Sequence, residues 1–162
     1  MTTRTIFAPM KGPRSAWKRL DAYARLLRER VHGLENEKGS RSAAATWLQD
    51  NHAFLQFQIR ELHRSLPPGY LRKLTKGSGE FEDEPRIYRI AADFVKASAE
   101  VVDAEALARF GAVLREKREL EIGELWAFGS MLKLALLDRL CADLESEAGV
   151  ALVLPHASRN HT

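Results

Sequence analysis

The side chains with chemistry to offer are polar groups set inside apolar stripes. Asp50 and Asn51 lie among Trp47, Leu48, Phe54 and Leu55, and Gln58, Arg60 and Glu61 follow one turn later. Tyr70 comes just after a proline pair, Arg86 and Tyr88 follow Pro85, and Glu124 precedes Leu125-Trp126. A buried carboxylate or guanidinium without a counter-charge is too costly to persist, so such groups must find one another. Arg60 or Arg86 is expected to meet Glu124 or Glu61. A network of this kind fixes how helices pack, and that structural role is favoured over a ligand site. The candidate residues for the network, or for an interaction surface, are Asp50, Asn51, Arg60, Glu61, Tyr70, Arg86, Tyr88, Glu124 and Trp126.

The rest of the sequence offers little to catalysis. His32, His52, His63, His156 and His161 lack metal-ligand spacing, and none adjoins Cys141 in sequence. A lone cysteine excludes an internal disulfide framework and a Cys-cluster zinc site. No G-x-x-x-x-G-K-[ST] phosphate loop, G-x-G-x-x-G turn or G-x-S-x-G elbow occurs. Glu82, Asp83 and Glu84 are consecutive and so diverge. They read as a helix cap and a solvated run rather than a catalytic pair. No catalytic residue, no metal and no cofactor is expected.

The elements that must position these residues are helical in period. Strand-like alternation is nearly absent, with only Gly149 to Leu154 faintly extended. A first helix is predicted from Ser15, its cap, to about Val31, with Gly33 as its stop. Trp17, Leu20, Ala24, Leu27 and Val31 share one face, and Lys18, Arg19, Arg25, Arg28 and Arg30 occupy the rest. A second runs from about Ser42 to Leu66 and ends at Pro67-Pro68. A loop over 67–84 follows, with room for one short turn around Tyr70 to Leu74. Pro85 opens a third helix carrying Ile87, Ile90, Ala91, Phe94 and Val95. Asp103 caps a fourth, with Leu107, Phe110, Val113 and Leu114 inward. The fifth begins near Glu121 and ends near Gly149. Its Ile122, Leu125, Phe128, Leu132, Leu136, Leu140 and Leu144 form one face, and Trp126, Leu134 and Leu137 widen it. A helix apolar on most sides is expected at the centre. The fold class is therefore all-α: about five helices in an irregular bundle with a loop at 67–84.

Composition sets the outer bounds. The 162 residues are 45% apolar and 29% charged, which is globular and suits one domain. Charge is uneven: residues 1–41 hold ten Lys/Arg against four Asp/Glu, within an overall net charge of +3. The chain divides into a basic N-terminal segment with an amphipathic helix (1–41), a helical domain (42–148) and a C-terminal tail (149–162). The basic segment can face anionic lipid, nucleic acid or an acidic protein. No run of 18 apolar residues spans a bilayer, and no secretory signal is expected at the N-terminus.

Three blocks occur in order. The first is Trp47-Leu48-x-Asp50-Asn51 followed by Gln58-Ile59-Arg60-Glu61. The second is Leu66-Pro67-x-Gly69-Tyr70 with Pro85-Arg86-x-Tyr88. The third is Ile122-Gly123-Glu124-Leu125-Trp126-Ala127 leading into Leu132-x-Leu134-Ala135-Leu136. Together, over about residues 43–145, they resemble the N-terminal helical region of cyclic β-1,2-glucan synthases, large bacterial inner-membrane glucosyltransferases. The resemblance implies an association with enzymes that transfer glucose from UDP-glucose, build a β-1,2-linked chain on the protein and close it into a ring. In those enzymes the region lies ahead of the glycosyltransferase module, on the cytoplasmic side. The family's double-tyrosine turn reads Tyr70-Leu71 here, and the Gln-x-x-Arg-Trp acceptor motif of processive glycosyltransferases does not occur. No catalytic residue is carried over.

The expectation is an accessory or scaffolding region, a fragment or split subunit. It would support a glucosyltransferase module encoded downstream or separately, at the cytoplasmic face of the inner membrane. The alternative is an independent, non-enzymatic helical interaction protein that docks on an anionic membrane surface through residues 14–31. Nucleic acid ranks last as a partner, because no helix-turn-helix spacing is present.

Overall fold

The structure, a computed structural model, describes residues 13–78, 84–98, 103–117 and 119–145. Among the described residues the regular structure is all-α, in six helices: α1 (Pro13–Asn36), α2 (Ala43–Ser65), α3 (Pro68–Lys73), α4 (Arg86–Ala97), α5 (Ala104–Lys117) and α6 (Ile122–Glu145). The expected extended stretch Gly149 to Leu154, the C-terminal tail and the side chains of Val113 and Leu114 lie outside the described residues.

Local chemistry sets most boundaries. Proline at helix starts fits α1 and α3, because a first-turn N–H has no partner to lose. Ser15 lies inside α1 and is not its cap. Gly33 does not stop α1 either, and the helix continues to Asn36. A glycine costs a helix about 1 kcal/mol but does not break it. The break comes at Gly39, whose φ of 136° is open to glycine and strained for other residues. Ser42 then caps α2, its Oγ accepting from the Ala45 N–H at 3.1 Å. Asp103 caps α5 in the same way, its Oδ1 accepting from the Ala106 N–H at 2.7 Å.

Of the expected 67–84 loop, the described residues 67–78 and 84 hold a short helix and paired backbone. Pro67 precedes α3, with Pro68 in its first turn. Downstream, the Gly77 N–H donates to the Glu84 carbonyl at 2.7 Å and the Arg86 N–H to the Thr75 carbonyl at 2.9 Å. A single bridge pairs Lys76 with Pro85. Pro85 thus sits just before α4 rather than inside it. Glu84 is buried, against the expectation of a solvated run; Glu82 and Asp83 lie outside the described residues.

The chain forms two compact units. One holds α1 from Trp17, α2 through Arg64 and the end of α6 from Leu137. Its core is Leu20, Leu27 and Val31 of α1, Leu48, Leu55, Ile59 and Leu62 of α2, and Leu137, Leu140, Cys141 and Leu144 of α6. Phe54, expected in the α2 stripe, is exposed. The other unit holds α3, α4, α5 and α6 from Ile122 to Leu136. Its core is built on Leu71, Ile87, Ile90, Phe94 and Val95, with Ala127, Met131 and Leu134 of α6. Phe94, Phe110 and Phe128 cluster there, with centroids 4.5 Å apart for the first pair and 6.3 Å for the second.

Candidate functional site

The start of α6 gathers the most polar chemistry. Glu121 stands at the helix N-cap and Glu124 three residues on. That is the N3 position of a capping box, from which a carboxylate reaches back to the cap. It does so here: Glu124 Oε2 accepts from the Glu121 backbone N–H at 2.8 Å. The same carboxylate is fully buried, at 0% exposure, and meets the Arg86 guanidinium of α4. Arg86 Nε donates to Oε1 at 2.5 Å and Nη2 to Oε2 at 2.7 Å, a two-pronged fork. Nη2 also donates to the Glu119 carbonyl at 3.1 Å. From α3, the Tyr70 hydroxyl donates to the Gly123 carbonyl at 2.5 Å. Two helices, α3 and α4, therefore fasten the start of a third.

The electrostatics follow from these contacts. The hydrogen bonds from Arg86 hold the Glu124 carboxyl below the usual range against the opposing cost of burial. The same bonds raise Arg86. Burial pushes the Tyr70 phenol up. Glu124 is thus an ionised carboxylate already taken by three donors. It is suited to holding a helix and poorly suited to carrying a proton near neutral pH.

The structure brings Arg86, Glu124 and Tyr70 into one constellation, and Tyr88 is buried in the same unit. It does not bring in the others. Arg60 is exposed, and Glu61 pairs with Arg64 of its own helix at 3.2 Å. Asp50 is exposed, and Asn51 donates to the Trp47 carbonyl at 2.8 Å. Trp126 is 78% exposed.

A second polar cluster, in the unit of α1 and α2, escaped the sequence reading. Asp138 of α6 is buried, accepts from Arg19 Nη2 at 2.9 Å and receives the Tyr23 hydroxyl. Burial and the neighbouring carboxylate raise the Tyr23 phenol, and burial raises the Cys141 thiol. In the same unit His63 meets Asp21 at 3.0 Å and stacks edge-on to Trp17 at 4.5 Å. The signal was present: Asp138 interrupts an apolar helix face, and Arg19 and Tyr23 lie four residues apart on α1. Sequence pattern alone groups Arg19 with the other cations off the apolar face of α1.

A cleft of about 510 Å³ is lined by Lys76, Gly77, Ser78, Glu84, Pro85, Arg86 and Arg89. Among the described residues no group of three or more His, Cys, Asp or Glu could hold a metal ion. No helix among them is long and apolar enough to cross a membrane.

The expected stripe of α6 is buried at Leu132, Leu140 and Leu144, as are Leu134 and Leu137, but the first half of the helix differs. Glu124, Ala127, Met131, Leu134, Ala135, Asp138 and Cys141 point inward. Ile122 (71% exposed), Leu125 (51%), Trp126 and Leu136 (37%) face water instead. From Ile122 to Leu136 one apolar side of the helix is left open among the described residues, whereas Leu137, Leu140 and Leu144 beyond it are buried.

Neither a protein-family profile nor a solved structure matches the chain. A 97-residue stretch, 60% of the chain, is 33% identical to the cyclic β-(1,2)-glucan synthase NdvB of Rhizobium meliloti (strain 1021). The chain spans only 3% of that protein's length, so the two share a related region and no more.

Proposed function

We propose that this chain is an accessory, scaffolding region of a cyclic β-1,2-glucan synthase system. It supports a UDP-glucose-dependent glucosyltransferase module at the cytoplasmic face of the inner membrane. The observation that carries the reading is the 97-residue match at 33% identity to NdvB. The site geometry supports a scaffolding role. The polar residues of the resembling blocks that come together, Tyr70, Arg86 and Glu124, spend their hydrogen bonds on the end of α6. Glycosyl transfer needs charge-stabilising groups aimed at a bound substrate, and these are aimed at backbone and at one another.

The test is complementation. An NdvB variant lacking the 97-residue stretch is expressed with and without this chain, and β-1,2-glucan formed from UDP-glucose is measured. Restored synthesis together with co-purification is the expected result. No restoration and no co-purification would end this reading.

A second reading has its own observation. Lys18, Arg25, Arg28 and Arg30 of α1 are exposed. They suit an independent interaction protein docking on an anionic membrane.

A further inference from the structure

We infer that the uncovered face of α6 is a self-association surface, on which two copies of this chain pair their α6 helices antiparallel about a two-fold axis at Gly129. Ile122, Leu125, Trp126, Gly129, Lys133 and Leu136 are all exposed and recur at three- and four-residue spacing. They form a seam about 20 Å long at 1.5 Å per residue. Its four large apolar side chains leave roughly 500 Å² open to water, as much as the largest patch on an ordinary monomer. A standard interface covers about 800 Å² on each partner, so the seam makes an interface at the small end of the range.

The seam is complementary to itself. Gly129 lies at its middle with nothing within 4 Å of where a Cβ would stand, so a second helix can cross closely there. In an antiparallel pair, residues equidistant from the crossing face each other. Ile122 then meets the partner's Leu136, and the reverse. Lys133 and the partner's Trp126 fall on the same flank at nearly the same level. The seam's one charge thereby finds an indole face, an arrangement that attracts a cation. This inference goes beyond the proposed function and does not depend on it.

Sedimentation equilibrium of the full chain is expected to show a monomer–dimer equilibrium, with a dissociation constant on the order of 10 μM for an interface at the small end of the range. Leu125→Glu should weaken it at least about tenfold with an unchanged circular dichroism spectrum, whereas Phe54→Ser on α2 should not. Gly129→Cys should form a disulfide-linked dimer under mild oxidation, because the crossing brings the two positions together. Cys141 is buried and should not compete. An Arg60→Cys chain serves as the off-seam control. A chain that stays monomeric at about 200 μM, twenty times that constant, overturns the inference. So does a dimer indifferent to Leu125→Glu, or cross-linking at residue 129 no faster than at residue 60. If a different protein covers the seam, the chain is monomeric alone, and that result also counts against self-pairing.

Discussion

Glu124 is the residue on which the most contacts converge. Replacing it with Gln removes the charge and leaves the Arg86 guanidinium partly buried without its counter-ion. Breaking a buried pair costs about 3–5 kcal/mol when both partners are enclosed. Arg86 retains some exposure, so about 2 kcal/mol is expected for Glu124→Gln, read from urea unfolding. Arg86→Lys should lose a similar amount, since an ammonium cannot reproduce the fork. The pH dependence has a definite sign. The folded-state carboxyl lies below its unfolded value of about 4.3, so the stabilisation is complete above that pH. It is lost as acid carries the carboxyl through its lowered folded value. The stability gap between the native chain and Glu124→Gln should therefore be flat at neutral pH and close only on acidification below about pH 4. At the other cluster, Cys141 is buried and its thiol is raised by that burial. A thiol reagent at mildly alkaline pH should label it only at the rate of unfolding, with full reaction in denaturant.

Elements show where sequence pattern suffices and where it stops. The Asp103 cap was legible because its mechanism is local, whereas Ser15, read as a cap, lies inside α1, and Ser42, read as the start of α2, is the residue that caps it. Ser42 and Asp103 each satisfy a first-turn N–H that helix geometry leaves open. Asp103→Ala should cost about 1 kcal/mol in thermal or urea unfolding. The Arg86–Glu124 contact could be anticipated as one of several pairings, since buried charge demands a partner, but not distinguished from one through Arg60 or Glu61. What misled was α6. A helix apolar on most sides is read as central, yet hydropathy cannot tell a face packed on its own chain from a face left open. In the first half the structure buries the side carrying Glu124 and exposes the side carrying Ile122, Leu125 and Trp126. Gly33 misled for a related reason: glycine permits a stop without requiring one. Gly129 gives a clean check. It is helical with open space around it, so Gly129→Ala should stabilise the monomer by about 1 kcal/mol when measured well below the dimerisation range.

For the whole molecule, part of the charge asymmetry lies on α1. Of the α1 cations, Arg19 is taken by Asp138, while Lys18, Arg25, Arg28 and Arg30 stay in water. If the membrane-docking reading holds, the chain should sediment with phosphatidylserine vesicles at low salt and come off as ionic strength rises. Charge reversal at Arg25 and Arg28 should abolish the effect. Equal recovery with neutral vesicles would remove that reading while leaving the synthase relationship untouched.

One consequence concerns the order in which the protein is assembled. The opening turn of α6 takes its contacts from Tyr70 and Arg86, residues far earlier in the chain. A synthetic peptide covering 119–145 would therefore wind in its middle and unravel at its front, where nuclear magnetic resonance should find rapid amide exchange. That turn is acquired late, after α3 and α4 have arrived, so nucleation of α6 has to start elsewhere along its length.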